Sequence, residues 1–151
     1  MMRRQDRARD AAFAWEVFDR APYGVLSMRD GEGGYGVPVS PARIGEAVYF
    51  HGAPEGKKLQ CLAACPEVTV TAVDSVSPAF FSVNYRSAIL RGRVVAVEDE
   101  AEKRAALRAI SKRYCPEQME SFDRYAAGML KKTCVWRIDV AEIAGKERTG
   151  K

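Results

Sequence analysis

The sequence predicts a mainly β domain in which about six short antiparallel strands close into a small barrel with helices at its flanks. Its 151 residues suit one domain with its own core, and 47% of them are hydrophobic against 29% charged. Short runs of alternating hydrophobicity are separated by turns that contain glycine or proline. Because a barrel leaves no exposed edges, it is the natural arrangement for such strands.

The elements follow one another without a linker or a repeat. The stripe of Ala11, Ala14, Trp15 and Phe18 predicts a helix over residues 10–20. The remaining predicted elements are strand 23–28, strand 35–39, strand 47–50, helix 55–64, strand 68–73, one bent or two paired strands over 79–97, a helix from residue 99 to about 114, a weaker helix over 117–127 and strand 134–140. The ends, residues 1–9 and 145–151, are expected to be mobile.

Local signals support two of these elements. The glycine-rich turn over residues 30–34 joins two extended runs into a hairpin. Pro38 in the second run predicts an edge or bulged strand, because proline cannot donate to the ladder. Asp99 and Glu102 have the spacing of a capping box at the start of a helix.

Charge and cysteine content restrict the possible functions. The net charge of +4 is mild and favours an anionic ligand without requiring nucleic acid. The arginines near the N-terminus fit a nucleic-acid arm or a solvated helix start, and the interrupting acids favour the second. No membrane span or signal peptide is predicted, so we expect a cytoplasmic protein with reduced, mostly buried cysteines. The cysteine spacing does not predict a metal site.

The loop over residues 49–59 is the most informative segment. Gly52 and Gly56 allow tight turns and a close approach of the backbone to a ligand. Lys57 and Lys58 follow where a helix begins, although the helix dipole disfavours cations there. A bound phosphate would satisfy both the lysines and the free N–H groups of the helix start. A solvated lysine pair on a surface turn explains the same residues equally well.

Three further features carry weaker signals. The segment 84–87 combines an amide, an aromatic ring, a guanidinium and a hydroxyl, which suit either phosphate binding or an exposed strand bend. The segment 36–39 could offer backbone groups to a planar ring. His51 is the only histidine. A lone histidine is more often structural, but this one could hydrogen-bond a ring or shuttle a proton.

Taken together and in order, these segments resemble the flavin split-barrel superfamily, typified by pyridoxamine 5′-phosphate oxidase. Within it, the chain is most similar to the nitroimidazole-resistance (Nim-type) branch. The matching segments are 2–7, 23–27, 35–39, 49–53, 56–59, 84–87, 97–99 with 103–107, and 137–139 with 142–146. Each segment is weak by itself, whereas the ordered set covers nearly the whole chain and is specific.

The resemblance implies a six-stranded split barrel that forms a homodimer, with FMN at the subunit interface. By position, Lys58 would bind the phosphate, with Lys57, Tyr85, Arg86 and Ser87 as helpers. Residues near the flavin ring or ribityl chain would be Val37, Pro38, Val39, His51, Gly52 and Ala53. Trp136 and Arg137 would reach the site from the partner subunit, and His51 is the candidate catalytic residue.

The resemblance also implies a reaction, the reduction of a nitro group on a small aromatic ring. Oxidation of vitamin B6 is not expected. The oxidase has a basic Arg-x-Val-Leu-Leu-Lys segment where this chain has residues 36–41, and its substrate-gripping Arg-x-His pair has no counterpart because His51 is the only histidine. Two other classes stay open: a flavin- or haem-binding protein without turnover, and a basic nucleic-acid module, for which no motif is present.

Overall fold

The structure is a computed structural model that describes residues 2–150. Its elements are a 3₁₀ turn (Gln5–Arg7), β1 (Ala8–Arg9), α1 (Ala11–Arg20), β2 (Gly24–Asp30), β3 (Gly33–Val39), β4 (Ala42–Ile44), β5 (Ala47–Gly52), α2 (Lys57–Ala64), β6 (Glu67–Ala79), β7 (Ser82–Ala96), α3 (Glu100–Tyr114), a 3₁₀ segment (Pro116–Ser121), α4 (Phe122–Met129) and β8 (Cys134–Arg148). The predicted class, mainly β with flanking helices, is confirmed.

The strands form one antiparallel sheet in the order β3-β2-β6-β7-β8-β5-β4, and β1 pairs with β8. Eight strands are therefore present within the described residues, where the sequence predicted about six. The two additional strands are β1, of two residues, and β4, of three. Strands this short leave no readable alternation, and β4 directly follows Pro41, which reads as a turn.

The predicted hairpin and its edge strand are confirmed. β2 pairs with β3 from Gly24↔Val39 to Asp30↔Gly33, and β3 ends the sheet order. Pro38 therefore lies on an edge strand, where its missing N–H costs no ladder bond. β6 and β7 form a second, longer hairpin that turns at Phe80 and Phe81.

The predicted mobile ends contain regular structure. β8 does not stop at Val140 but continues to Arg148, and its last part pairs with the start of β7 and with β1. The register shifts between Arg91 and Gly92 of β7. This bulge interrupts the alternation of the sequence on β8, which explains why the strand seemed to end early.

Helix α1 lies against the inner face of the sheet. Its Ala14, Val17 and Phe18 are buried in one core with strand residues that include Leu26 and Leu90. Asp10 caps the helix, because its carboxylate accepts a hydrogen bond of 2.8 Å from the N–H of Phe13. The inner face of β2, β6 and β7 is thus filled by the first helix of the chain.

Helices α3 and α4 cover β5 and β8 from the opposite side and form a second core around Leu107, Phe122 and Val135. Half of the predicted capping box is present: the Asp99 carboxylate accepts from the N–H of Glu102 at 2.8 Å. The Glu102 carboxylate does not return to the cap. It accepts instead from the Tyr49 hydroxyl at 2.9 Å and from Arg137 at 2.7 Å, so it holds α3 on the sheet.

The sheet also has a face without a covering helix in the described chain, which we call the outer sheet face. The registers place one row of residues side by side across five strands. This row consists of Pro38, Val25, Thr71, Ile89 and Ala144. Further exposed apolar side chains extend it toward the turn of the β6–β7 hairpin, namely Val73, Val76, Phe80, Phe81 and Val83.

Candidate functional site

The end of β5 and the start of α2 form the centre of the candidate site. Gly56 precedes the helix with φ +120°, a backbone conformation that disfavours other residues. The helix begins at Lys57 rather than at Glu55, so both lysines lie in its first turn. The first N–H groups of a helix have no intrahelical acceptors, and they lie at the same place as the two cations.

Lys58 is the half-buried cation of the pair. Its ammonium lies 5.2 Å from the centroid of the Trp136 ring and 5.5 Å from that of the Phe50 ring, and these two rings stack on each other. Within residues 2–150 no carboxylate forms an ion pair with it. Burial lowers the pKa of Lys58, because the charged form loses water without gaining an opposite charge.

Gly52 gives Lys58 its position. A Cβ atom at residue 52 would lie 2.8 Å from Lys58 Nζ and 3.4 Å from a Trp136 ring carbon. The missing side chain of Gly52 therefore leaves the space that the ammonium fills. Trp136 lies beside Lys58 of its own chain, and a contribution of Trp136 from a partner subunit stays a prediction.

Lys57 is placed differently. Its ammonium forms an ion pair of 2.6 Å with Asp30 at the end of β2 and lies 5.2 Å from the centroid of the Tyr35 ring. The hydrogen bond to Asp30 raises the pKa of Lys57. Lys57 thus has a protein partner for its charge, whereas Lys58 does not, and the two neighbours differ as candidate anion ligands.

His51 lies on the other face of β5, because side chains alternate along a strand. Its Nδ1 atom is buried and has no hydrogen-bond partner among residues 2–150. Burial, followed by the charge of Lys58, lowers the pKa of His51. The ordinary value is 6.5, so the imidazole is neutral at pH 7 and offers one donor and one acceptor nitrogen.

His51 lines a cavity of about 340 Å³, which we call the helical cavity. Its other walls come from Ser40, directly after β3, and from the segment 110–125 of α3, the 3₁₀ segment and α4. Phe122 and Tyr125 contribute aromatic surface. A strand end, a loop and three helical segments therefore meet around the only histidine.

A second concave surface lies beside Lys58, and we call it the apolar groove. It has a volume of about 340 Å³ and lies between α2, the end of β7 and the start of β8. The side chains that line it are Leu59, Leu62, Ala63, Val94, Ala96 and Trp136. The Trp136 ring also lies beside the Lys58 ammonium. The apolar groove therefore adjoins a cation that has no carboxylate partner within the described chain.

The other residues that were predicted beside the flavin ring or ribityl chain do not all lie at these two surfaces. Val37 packs on the inner core, and Val39 is buried beside Ser40 at the edge of the helical cavity. Pro38 points to the outer sheet face by alternation. Ala53 is exposed in the loop between β5 and α2.

The structure does not bring the segment 85–87 to Lys58 within one chain. Ser87 lies nine positions before Ala96, the residue of β7 that pairs with Trp136. At about 3.3 Å per residue, this separates Ser87 from Trp136 by roughly 30 Å along the strand. Tyr85 and Ser87 share the outer sheet face.

Arg86 is engaged by its own chain. Its guanidinium donates to Glu16 at 2.8 Å, lies 3.4 Å from the Asp74 carboxylate and stacks over the Phe13 ring at 4.8 Å. The Asp74 side chain is only 3% exposed and follows Val73 at a bulge in β6. These contacts give Arg86 a role in holding α1 on the sheet.

Sequence reasoning missed most residues of the two concave surfaces. The Asp30 partner of Lys57 and most walls of the helical cavity come from distant segments. Phe50 belongs to the loop 49–59 itself, but no local pattern shows that its ring lies beside Lys58. No local pattern marks Gln118 or Tyr125 as cavity residues. Asp30 was read only as part of a turn, and the turn prediction was correct.

Three further features of the described chain concern metal ligands, membrane-spanning helices and cysteines. No group of three or more potential metal-ligating side chains is found in residues 2–150. None of the described helices is long and apolar enough to cross a membrane. All four cysteines are free, and only Cys61 is fully buried, whereas Cys115 is exposed, contrary to the expectation of mostly buried thiols.

The chain is similar to several solved structures. A protein from Bacteroides thetaiotaomicron, described as a candidate 5-nitroimidazole antibiotic resistance protein, shares 27% identity over 92% of this chain and 84% of its own, with a TM-score of 0.77. The flavocytochrome Anf3 from Azotobacter vinelandii shares 25% identity over 99% and 73%, with a TM-score of 0.81. An FAD and haem binding protein from Mycobacterium smegmatis, at 20% identity over 93% and 72% and a TM-score of 0.79, supports the fold alone.

The antiparallel barrel with its flanking helices and a site at the end of β5 defines a split barrel of the pyridoxamine 5′-phosphate oxidase type. The model of the family described as pyridoxamine 5′-phosphate oxidase matches residues 10–147, and the chain belongs to this family. No functionally curated protein matches it by sequence. The predicted family is therefore confirmed.

Proposed function

We propose that the protein binds a flavin, FMN, with the phosphate on Lys58. One observation carries this proposal: the half-buried Lys58 ammonium has no carboxylate partner within the described chain. A cation in this environment is stabilised by an anion brought from outside. The free N–H groups at the start of α2 would bind the same anion.

The surroundings of Lys58 fit a phosphate that carries a ring system. The apolar groove adjoins the ammonium through Trp136 and offers apolar surface to a large planar group. The absence of a side chain at Gly52 leaves room for the Lys58 ammonium. Ala53 follows it in the exposed loop between β5 and α2. Lys57 contributes to the positive potential while its ammonium is held by Asp30.

We propose further that the protein is an oxidoreductase that reduces small nitroaromatic compounds. The support is the similarity, over 92% of the chain, to the protein from Bacteroides thetaiotaomicron. A bound flavin would supply the electrons. Of the chain's own residues, His51 is placed to hydrogen-bond a ring atom of a ligand with a neutral imidazole, since no protein group occupies its Nδ1.

The experiment is a visible spectrum of the purified protein followed by a titration with FMN. We expect the double band of a flavin, and a loss of FMN affinity of about 10- to 100-fold in Lys58→Met, the range of one charge-assisted hydrogen bond. Lys57→Met is the matched control and should lose less than about threefold. A protein that takes up no flavin, or equal effects of the two variants, would refute the assignment.

The proposal includes a homodimer, because the site of one chain lacks the residues expected to complete it. Tyr85, Ser87 and Pro38 lie on the outer sheet face, and Tyr85 and Ser87 are remote from Lys58 of their own chain. A partner subunit seated on this face would contact them. The face measures about 19 Å across five strands and about 26 Å along residues 83–91, or roughly 500 Å².

Exposed side chains at the hairpin turn enlarge this surface. Phe80 and Phe81 are 79% and 94% exposed. A buried aromatic side chain contributes about 150–250 Å². Each partner would thus bury close to the roughly 800 Å² that a standard interface needs.

Sedimentation of Ile89→Lys tests the dimer, because Ile89 lies in the middle of the outer sheet face and is already 45% exposed. We expect the wild type to sediment as a dimer and the variant as a folded monomer. Thr149→Lys is a control that adds the same charge at an exposed position near the end of the chain. A wild type that is monomeric at all concentrations would disprove the dimer.

A second candidate is a haem-binding protein without turnover. One observation favours it: His51 is neutral and its Nδ1 has no protein partner, and an axial ligand of haem iron needs an available imidazole nitrogen. The same spectrum separates the candidates. A Soret band after addition of haemin that disappears in His51→Gln would favour this alternative over the flavin.

A further inference from the structure

We infer that the helical cavity is a binding site for small, uncharged, planar aromatic molecules that carry polar groups. The binding does not depend on the proposed function. The cavity is separate from the Lys58 site, because it lies on the opposite face of β5.

The size of the cavity restricts the ligand. Its volume of about 340 Å³ is near the lower end of the roughly 300–1,000 Å³ that ligand sites occupy. A molecule of one or two rings fits this volume. Phe122 and Tyr125 provide aromatic surface against which a planar ring can pack.

The absence of charge on its walls restricts the ligand further. None of the eleven residues that line the cavity is Asp, Glu, Lys or Arg. An anion would lose its water here without a cation on the wall itself, because the guanidiniums of Arg104 and Arg108, 5.5 Å from the centroid of the Phe122 ring, are not among the lining groups. Losing that water costs far more than burying a neutral polar group. The cavity therefore selects against phosphorylated and carboxylated substrates, although the protein as a whole is basic.

The polar groups on the walls are of the kind that both donate and accept. They are the hydroxyls of Ser40, Ser111 and Ser121, the amide of Gln118 and the neutral imidazole of His51. His51 makes no hydrogen bond to the protein through Nδ1. The amide, carbonyl and nitro groups of a neutral aromatic compound match such a set.

A pair of probes of equal shape tests this inference: 4-nitrobenzamide, which is neutral, and 4-nitrobenzoate, which is an anion at pH 7. We expect calorimetric titration of the flavin-free protein to show at least tenfold tighter binding of the amide. Saturating FMN should leave that affinity unchanged. Tighter binding of the anion, no binding of either probe, or competition with FMN would overturn the inference.

Two variants locate the bound probe. Ser111→Leu fills the cavity and should abolish amide binding, whereas Lys112→Leu, an exposed neighbour on α3, should not. Gln118→Lys places a cation on the wall at an exposed position and should reverse the preference toward 4-nitrobenzoate. Unchanged amide binding in Ser111→Leu, or an unchanged preference in Gln118→Lys, would refute this site.

The outcomes keep the two proposals apart. Loss of flavin binding with intact amide binding would contradict the proposed cofactor and support the cavity as a site. Flavin binding without amide binding would support the proposed cofactor and contradict the cavity as a binding site. The normal far-ultraviolet circular dichroism of each variant is checked first, and Gln118→Lys serves where Ser111→Leu does not fold.

Discussion

The ammonium of Lys58 occupies the space that a side chain at Gly52 would need: Nζ lies 2.8 Å from the position of a Cβ at residue 52. The position of the Lys58 ammonium thus depends on the absence of a side chain at residue 52, six positions earlier in the chain. The glycine ends β5, the lysine lies in the first turn of α2, and the ring of Trp136 lies beside both.

Gly52→Ala should therefore impair binding more than folding. The clashing atom is the end of a flexible side chain, so Lys58 can swing away at little cost to the fold. We expect FMN affinity to fall at least about fivefold, or about 1 kcal/mol, while the melting temperature changes little. Gly34→Ala, where a Cβ would meet nothing within 4 Å, is the control. A large drop in the melting temperature of Gly52→Ala with normal FMN affinity would contradict the role of Gly52 in positioning Lys58 for binding.

Lys58→Met should not destabilise the flavin-free protein. The ammonium is half-buried without a carboxylate partner, and methionine keeps an unbranched stem over the rings of Phe50 and Trp136. Replacing such a charge with an apolar group removes the free-energy cost of desolvating it on folding. Urea denaturation should give a free energy of unfolding equal to or above that of the wild type. A drop of more than about 1 kcal/mol would mean that the cation–π contacts outweigh the desolvation.

The protonation of His51 should make stability depend on pH. Burial and the charge of Lys58 lower its pKa below 6.5 in the folded protein. Below pH 6.5 the unfolded chain then binds more protons, so the free energy of unfolding falls as the pH drops, until the pH passes the pKa of the folded state. Above pH 6.5 this effect is absent.

The single histidine makes this measurement direct. Its ring proton resonance, followed by NMR, should titrate with a midpoint below 6.5. His51→Gln should remove the corresponding part of the pH dependence of unfolding, and only that of the carboxylates should remain at lower pH. A midpoint at or above 6.5 would contradict the burial of an unpartnered imidazole.

Arg113 should be a major determinant of stability. Its half-buried guanidinium donates to the carbonyls of Pro41 at 2.6 Å and Ala21 at 2.9 Å, and also to that of Phe18. It thereby joins α3 to the end of α1 and to the start of β4. Burial lowers its pKa, yet an arginine remains charged at neutral pH.

We expect Arg113→Met to lower the free energy of unfolding by about 2–3 kcal/mol, because three carbonyls lose a charged donor. For a chain of this length this corresponds to a melting temperature about 5–10 °C lower. Lys112→Met, on the exposed side of the same helix, is the control. Equal melting temperatures for the two variants would show that water replaces the guanidinium without cost.

Much of the fold follows from signals that are local in the chain. The β2–β3 hairpin was predictable because its turn residues and its alternation are contiguous, and Pro38 restricted its second strand to an edge or bulged position. The N-cap of α3 was equally predictable, since Asp99 accepts from a residue three positions away. These features need no information from distant residues.

Other features could not be predicted, because they depend on partners far along the chain. β4 is a strand only because β5 pairs with it, and the bulge at Gly92 hides the continuity of β8. The difference between Lys57 and Lys58 depends on Asp30 and Trp136. The helical cavity arises where Ser40, His51 and the segment 110–125 meet, and none of them carries a signal of a cavity by itself.

The place of β8 in the sheet has a consequence for synthesis of the chain. β8 pairs with β1, β5 and β7, and all three precede it in sequence. During translation, the facing edges of β5 and β7 therefore stay unpaired until residues 134–148 have left the ribosome. Nascent chains stalled before Cys134 should aggregate or bind chaperones, although they already contain the Lys58 loop.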